Sequence, residues 1–279
     1  MKYTAVFFKP ANPSVHLSEI IIAELSNQGF EGFLETETGV VGYISSDLFE
    51  ELNLDKLLFN NNPAFGKIEI ETEFILDKNW NELWESNYEP AIISDKVIVR
   101  APFHAQQLYY EYEIIIEPKM SFGTGHHETT SLMMEQILTQ NLAGKSVLDV
   151  GCGTGVLGIL TSKMGADKIT ALDINEWAYE NTIENVSKNK INNLKVIHGG
   201  IDLIREEKFD LLLANITRNV LMDEIPAYSE KIKSEGIMIL SGILMADLED
   251  IKRKAESEKL QFESYLQKKD WIAVKFFRN

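Results

Sequence analysis

The sequence has little cysteine, little histidine and no long hydrophobic run. The single cysteine, Cys152, excludes an internal disulfide and a cluster of cysteine metal ligands. His126 and His127 are adjacent, so their side chains diverge, and we predict no metal site. No run of about 18 uncharged apolar residues occurs, and the start, MKYTAVFFKP, lacks the features of a secretory signal. We therefore expect a cytoplasmic protein without a membrane segment.

Positive charge is also scarce. The chain has 27 Lys and Arg against 43 Asp and Glu, a formal net charge of −16. Because tight sequence-independent binding to nucleic acid needs clustered positive charge, we expect no direct nucleic-acid binding and favour a basic protein partner. Residues 1–76 hold 4 lysines and 12 acidic residues. This excess of negative charge either steers a cationic substrate or only gives the domain a solvated surface that keeps the protein soluble.

A glycine-rich segment, VLDVGCGTGVLGI, occupies residues 147–159. Its apolar run predicts a buried parallel strand, and a helical pattern follows the alternating Gly151, Gly153 and Gly155. This order is typical of a nucleotide-type cofactor loop, because glycine lets the backbone approach a ligand. A strand-to-helix turn without a ligand is the alternative.

An acidic residue, Asp173, ends the next apolar strand, 22 residues after Gly151. An acid at this place commonly binds the two hydroxyls of a ribose, and a helix N-cap is the alternative. Dehydrogenases use GxGxxG, but here the third glycine, Gly155, comes one residue early. The form DxGxGxG, beginning at Asp149, is typical of enzymes that bind S-adenosylmethionine, where methionine replaces the pyrophosphate. We predict S-adenosylmethionine as the cofactor.

The hydrophobic periodicity divides the chain into three parts. Residues 1–76 predict the order βαββαβ, which favours a small ferredoxin-like α+β domain. Residues 77–90 predict an amphipathic linker helix, with Trp80, Leu83 and Trp84 on one face. Residues 91–279 predict strands and helices in strict turn and a closing antiparallel hairpin, hence a Rossmann-like, doubly wound α/β domain with a seven-stranded sheet.

Two further segments carry candidate site residues. MSFGTGHHETTS, residues 120–131, predicts a sharp loop before a helix, where Thr129 and Thr130 either cap the helix or offer donors to the carboxylate of a bound amino acid. Asn215 follows the fourth strand of the sheet. Its amide could accept a hydrogen bond from an incoming amine and orient the lone pair toward a methyl carbon, or it could only cap the next helix.

These segments together resemble a known family. The resemblance rests on DKNWNELWESNYEP at 77–90, FGTGHHETT at 122–130, LDVGCGTGVLGI at 148–159, ALDIN at 171–175, LLLANITRNVL at 211–221 and LSGIL at 240–244. They are similar to the bacterial ribosomal protein L11 methyltransferases of the PrmA type. The resemblance implies a substrate-recognition domain, a linker that permits reorientation, and a catalytic domain. It further implies methylation of lysine side chains and the terminal amine of this large-subunit ribosomal protein, free or ribosome-bound.

The resemblance also implies site residues. By resemblance, the cofactor contacts fall on Thr130, Gly151, Asp173 and Asn215. We add Gly153 from the glycine-rich segment 147–159 and Phe122 from the segment 120–131. Asn215 is also the candidate catalytic residue.

Two details qualify this interpretation. His126 and Glu128 stand where the family usually has Thr and Pro, which questions the rigidity of that loop. The N-P-P-Y motif of amide-methylating release-factor enzymes is missing after the fourth strand, so an amine is the favoured acceptor. Another protein, or a small amine, is the alternative substrate.

Overall fold

The computed structural model describes residues 3–54, 57, 59, 65–75, 85, 88–119 and 121–279. The chain divides into two compact units, 1–88 and 89–279, and each is described by itself. Most of the predicted linker helix over 77–90, including Trp80, Leu83 and Trp84, lies outside the described residues.

The N-terminal unit forms a four-stranded antiparallel sheet in the order β2-β3-β1-β4. Its elements are β1 (Tyr3–Pro10), α1 (Val15–Ser26), β2 (Phe30–Thr36), β3 (Gly39–Ser45), α2 (Ser46–Glu51) and β4 (Ile68–Ile75). The element order and the strand order are those of a ferredoxin-like domain, as predicted. Helix α2 is short and ends at Glu51.

One face of this sheet packs on the helices and the other carries acidic side chains. Val6 and Phe8 belong to the apolar core with Ile21 and Leu25 of α1. Directly paired residues of antiparallel strands share a face, and β1 pairs Ala5, Phe7 and Lys9 with three glutamates of β4. These glutamates therefore lie on the face opposite the core, and we call them the acidic ribbon: Glu69, Glu71 and Glu73.

The C-terminal unit begins with a small three-stranded sheet in the order β5-β6-β7. Its strands are β5 (Ala91–Ile93), β6 (Val97–Arg100) and β7 (Tyr112–Ile115). The expectation that strands and helices alternate strictly from residue 91 is wrong here. Three short strands succeed one another because their apolar residues all pack into one core with the helices that follow.

The main sheet has seven strands in the order β10-β9-β8-β11-β12-β14-β13. Its strands are β8 (Ser146–Val150), β9 (Lys168–Asp173), β10 (Leu194–His198), β11 (Phe209–Asn215), β12 (Ile232–Leu244), β13 (Leu260–Lys268) and β14 (Trp271–Arg278). The first five in spatial order are parallel, and β14 is antiparallel to both neighbours. The doubly wound sheet and its closing hairpin are thus confirmed.

Helices cover both faces of this sheet. They are α3 (Glu128–Leu138), α4 (Val156–Lys163), α5 (Glu176–Lys188), α6 (Arg218–Glu230) and α7 (Leu248–Ser257). Helices α3 and α4 contribute to one apolar core, and α6 and α7 to the other. Within the described ranges, no helix is long and apolar enough to cross a membrane. From β8 the chain first steps outward to β9 and β10 and then returns to the other side of β8 as β11. This reversal of strand order between β8 and β11 opens a crevice at the carboxyl ends of the strands.

Candidate active site

A crevice of about 800 Å³ lies at this edge of the main sheet. It takes residues from the ends of β8, β9 and β11, from the turn after β10, and from the loop before α3. Five of the six predicted site residues line it, namely Phe122, Gly151, Gly153, Asp173 and Asn215. The sixth, Thr130, does not line the crevice and is only 1% exposed.

The glycine loop is held closely against two neighbouring segments. Gly151 and Gly153 have φ values of +65° and +58°, a region that favours glycine. A Cβ on Gly151 would lie 2.5 Å from Ile216 Cγ2, and one on Gly153 would lie 2.3 Å from the Phe122 carbonyl oxygen. Glycine is therefore required here by the protein itself.

The loop that contains Phe122 is fixed by hydrogen bonds on both sides. Thr154 donates its backbone N–H to Phe122 O at 2.9 Å and its hydroxyl to Gly123 O at 2.6 Å. His126 donates from Nε2 to Glu89 O at 2.8 Å. Thus His126, one of the two departures from the family pattern, holds the loop instead of loosening it.

The other departure, Glu128, also has a structural role. It is the first residue of α3, where a negative charge is favourable, and it forms an ion pair with Lys269 in the turn between β13 and β14. That interaction holds the pKa of the Glu128 carboxyl below its usual value. The start of α3 is therefore anchored to the hairpin that closes the sheet.

Neither threonine at the start of α3 is its N-cap. The N-cap is His127, whose Nδ1 accepts the backbone N–H of Thr129 at 3.2 Å. Thr130 instead accepts a hydrogen bond on Oγ1 from Asn215 Nδ2, at 3.5 Å. Thr130 thus contacts the side chain of Asn215 and does not itself line the crevice.

The carboxylate of Asp173 is oriented by two backbone groups. Oδ2 accepts from Gly153 N at 3.0 Å and Oδ1 from Asn175 N at 2.9 Å. The N-cap of α5 is Asn175, whose side chain accepts from Trp177 N, so Asp173 is not the cap. A carboxylate offers about four lone pairs, and each oxygen of Asp173 therefore retains capacity for a ribose hydroxyl.

Asn215 is the last residue of β11, and the N-cap of α6 is Thr217. The N-cap alternative for Asn215 is therefore not what the structure shows. Its Oδ1 is buried and has no hydrogen-bond partner among the described residues. Buried acceptors are normally satisfied, and Asn215 is a residue of the crevice wall, so its unpaired oxygen is a candidate acceptor for a donor of a bound molecule.

Two buried groups in and next to the glycine loop have raised pKa values. Burial raises the pKa of Asp149 to about 7; the Gly158 N–H opposes this rise and the charge of Asp173 adds to it. Burial also raises the pKa of the Cys152 thiol well above its usual range. A buried thiol that stays protonated is a poor nucleophile.

Several crevice residues were not predicted from the sequence. Ile174, Trp177, Ile201 and Glu224 line it, and Ile174 and Trp177 are 78% and 74% exposed. Their positions after strand ends could have indicated the first three, because such loops meet at one edge. Glu224 lies two turns inside α6, and no local sequence signal indicates that it lines the crevice.

This sheet order and this crevice are those of the class I S-adenosylmethionine-dependent methyltransferases. The family model described as ribosomal protein L11 methyltransferase (PrmA) matches residues 16–279. The chain therefore belongs to the ribosomal protein L11 methyltransferase family, as the sequence resemblance predicted.

Individual relatives agree with this assignment. A ribosomal protein L11 methyltransferase of Phocaeicola vulgatus is 40% identical over 280 residues, which cover 99% of each chain. That of Porphyromonas gingivalis is 40% identical over 286 residues, covering 99% of this chain and 98% of its own. The crystal structure of a ribosomal protein L11 methylase from Lactobacillus delbrueckii subsp. bulgaricus aligns with a TM-score of 0.65 and 27% identity, covering 69% of this chain and 100% of that chain.

Proposed function

We propose that this protein transfers methyl groups from S-adenosylmethionine to amino groups of ribosomal protein L11, on lysine side chains and on the terminal amine. Its family and its relatives carry that name. The observation that supports a nitrogen acceptor is that Asn215, a residue of the crevice wall, has an unpaired Oδ1, because an incoming amine brings an N–H donor that this oxygen can accept.

The residues of the crevice fit the cofactor. Asp173 holds a carboxylate for the ribose hydroxyls, and Phe122 lines the crevice beside the glycine loop. When bound, S-adenosylmethionine supplies an electrophilic methyl carbon on a positively charged sulfur. We propose that Asp173 binds the ribose and that the backbone of Gly151 and Gly153 borders the cofactor. The methyl group then lies near Asn215.

Asn215 orients the acceptor nitrogen. By accepting one N–H on Oδ1, it directs the nitrogen lone pair into the crevice, and no covalent intermediate is needed. A lysine amine must first lose a proton, which costs about 4.6 kcal/mol at pH 7 for a reference pKa of about 10.4. A nearby positive charge lowers that pKa, and the proton can pass to solvent.

We assign recognition of the protein substrate to the N-terminal unit. Its acidic ribbon presents three carboxylates on the sheet face that α1 and α2 leave uncovered. Negative charge suits a basic ribosomal protein and not nucleic acid. We place the reaction in the cytoplasm, on the free or ribosome-bound protein.

The test uses the full-length protein, tritiated cofactor and ribosomal protein L11 from cells that lack this activity. Label should enter L11, and intact-mass analysis should show whole methyl increments. Asn215→Ala should lose at least about tenfold in kcat, because it removes the orienting acceptor. Asn219→Ala, an exposed asparagine at the start of α6, is the matched control. If the protein binds cofactor but leaves L11 unlabelled, the proposed substrate is wrong.

A further inference from the structure

A second carboxylate, Glu224, lines the crevice and has no part in the roles proposed above. It lies seven residues after Thr217, the N-cap of α6, which is about 10 Å along the helix. A helix that follows a parallel strand runs back from the carboxyl end, so Glu224 lies deeper in the crevice than Asn215. Helix α6 also contacts the short turn Ile201–Leu203 after β10. Part of α6, the helix that carries Glu224, therefore lies near the β10 end of the crevice.

A buried tyrosine fixes this carboxylate. Tyr228 donates its hydroxyl proton to Glu224 Oε2 at 2.5 Å, and Tyr228 is fully buried. Burial and the neighbouring carboxylate raise the pKa of Tyr228, so the hydroxyl stays protonated and remains a donor. Oε1 of Glu224 receives no hydrogen bond from the described residues. One oxygen is thus held in place while the other is free to accept.

The walls next to Glu224 are apolar. Ile174, Ile201 and Val220 also line the crevice. Ile174 directly follows the carboxylate assigned to the ribose, and its Cγ2 would lie 3.9 Å from a Cβ on Gly200, next to Ile201. An apolar slot next to a ribose site suits a flat purine, which needs only a few polar contacts at its edge. Adenine presents a 6-amino donor at that edge.

We propose that Glu224 is a specificity-determining residue that accepts a hydrogen bond from the 6-amino group of the cofactor's adenine, with Tyr228 as its positioning residue. This inference rests on the placement of the cofactor under the proposed function. A 6-oxo purine lacks the amino donor and presents an oxygen to the carboxylate. The site therefore rejects hypoxanthine in favour of adenine.

The experiment compares the binding of S-adenosylhomocysteine and S-inosylhomocysteine to the full-length protein by calorimetry. We expect the wild type to favour the adenosyl ligand by about 10- to 100-fold, the range for a hydrogen bond to a charged group. Glu224→Met keeps the side-chain length without an acceptor, and its preference should fall to less than about threefold. Asp223→Met removes the same charge at the adjacent exposed position and should retain the wild-type preference.

Each remaining outcome is informative. Tyr228→Phe should reduce the preference for the adenosyl ligand by a smaller factor than Glu224→Met, because the carboxylate remains but is no longer oriented. If Tyr228→Phe leaves this preference unchanged, Tyr228 is not a positioning residue. Equal binding of both ligands by the wild type, or an undiminished preference in Glu224→Met, overturns the inference. A raised KM for L11 in Glu224→Met, with the base preference intact, assigns Glu224 to the acceptor amine instead. Failure of the wild type to bind either ligand contradicts the proposed function itself.

Discussion

Thr130 Oγ1 lies 3.5 Å from Asn215 Nδ2, although 85 positions separate the two residues in the chain. Helix α3 carries Thr130 and contacts β11, whose last residue is Asn215. Nδ2 is directed to the threonine by this contact, whereas Oδ1 has no hydrogen-bond partner among the described residues. We therefore expect Thr130 to act as a positioning residue for the amide of Asn215.

Removal of this hydroxyl should therefore lower the rate more than it weakens cofactor binding. We expect Thr130→Ala to reduce kcat about fivefold to tenfold, the effect of one hydrogen bond of about 1 kcal/mol. Its Kd for S-adenosylhomocysteine should change less than about twofold. Thr130→Ser retains the hydroxyl and should restore most of kcat. A large rise in Kd with unchanged kcat would instead assign Thr130 to the cofactor directly.

Asp173 should dominate the affinity for the cofactor. Two hydrogen bonds to a charged acceptor contribute about 1.5 to 3 kcal/mol each, so Asp173→Ala should weaken binding by at least about 100-fold. Calorimetry with S-adenosylhomocysteine measures this, and a melting curve shows whether the loop remains folded. Unchanged affinity would remove the assigned ribose role.

Gly153 of the glycine loop and Gly144, which precedes β8, offer a matched pair of substitutions. Gly144 has a φ of +71° and open space around its missing Cβ, whereas Gly153 has a φ of +58° and the Phe122 carbonyl 2.3 Å away. Gly144→Ala should cost about 1 kcal/mol in unfolding free energy from backbone strain alone. Gly153→Ala should cost about 3 kcal/mol or more and weaken cofactor binding. Chemical denaturation distinguishes the two, and equal costs would contradict the steric argument.

Asp149 should make stability depend on pH. Its pKa rises from 3.8 in the unfolded chain to about 7 in the folded protein. Between these values the unfolded state has lost the proton that the folded state keeps, so this group's contribution to stability falls as pH rises from about 4 to 7. Asp149→Asn should flatten the profile by about 2 kcal/mol between pH 5 and pH 8. Parallel profiles for the two proteins would show that Asp149 is ionised in the fold.

The acidic ribbon should affect binding of the protein substrate and not binding of the cofactor. Replacement of Glu69, Glu71 and Glu73 by Gln should raise KM for L11 about tenfold at low salt, with kcat and cofactor affinity unchanged. The effect should shrink as salt increases. The matched control replaces three exposed glutamates of the other unit, Glu206, Glu230 and Glu256. If the two triple variants raise KM for L11 equally, the net charge of the protein and not the acidic ribbon is responsible.

Much of the fold follows from local patterns. The periodicity of the chain predicts both sheets with their element order, because each strand and helix buries one apolar face or run that the local sequence must supply. The small sheet over Ala91–Ile115 was missed, since its strands are only three or four residues long. The role of His127 as N-cap was also missed, because the neighbouring threonines are the commoner caps.

The sequence by itself determined the class of the molecule and the identity of the strand-end residues, since glycine spacing, an acid after the second strand and an amide after the fourth are local properties. Only the tertiary structure decided that Thr130 lies behind Asn215, that Glu224 turns into the crevice beside Tyr228, and that the glycines are required by Ile216 and Phe122. These relationships join segments far apart in the chain. Their distances depend on how helices pack on the sheet, which no local pattern encodes.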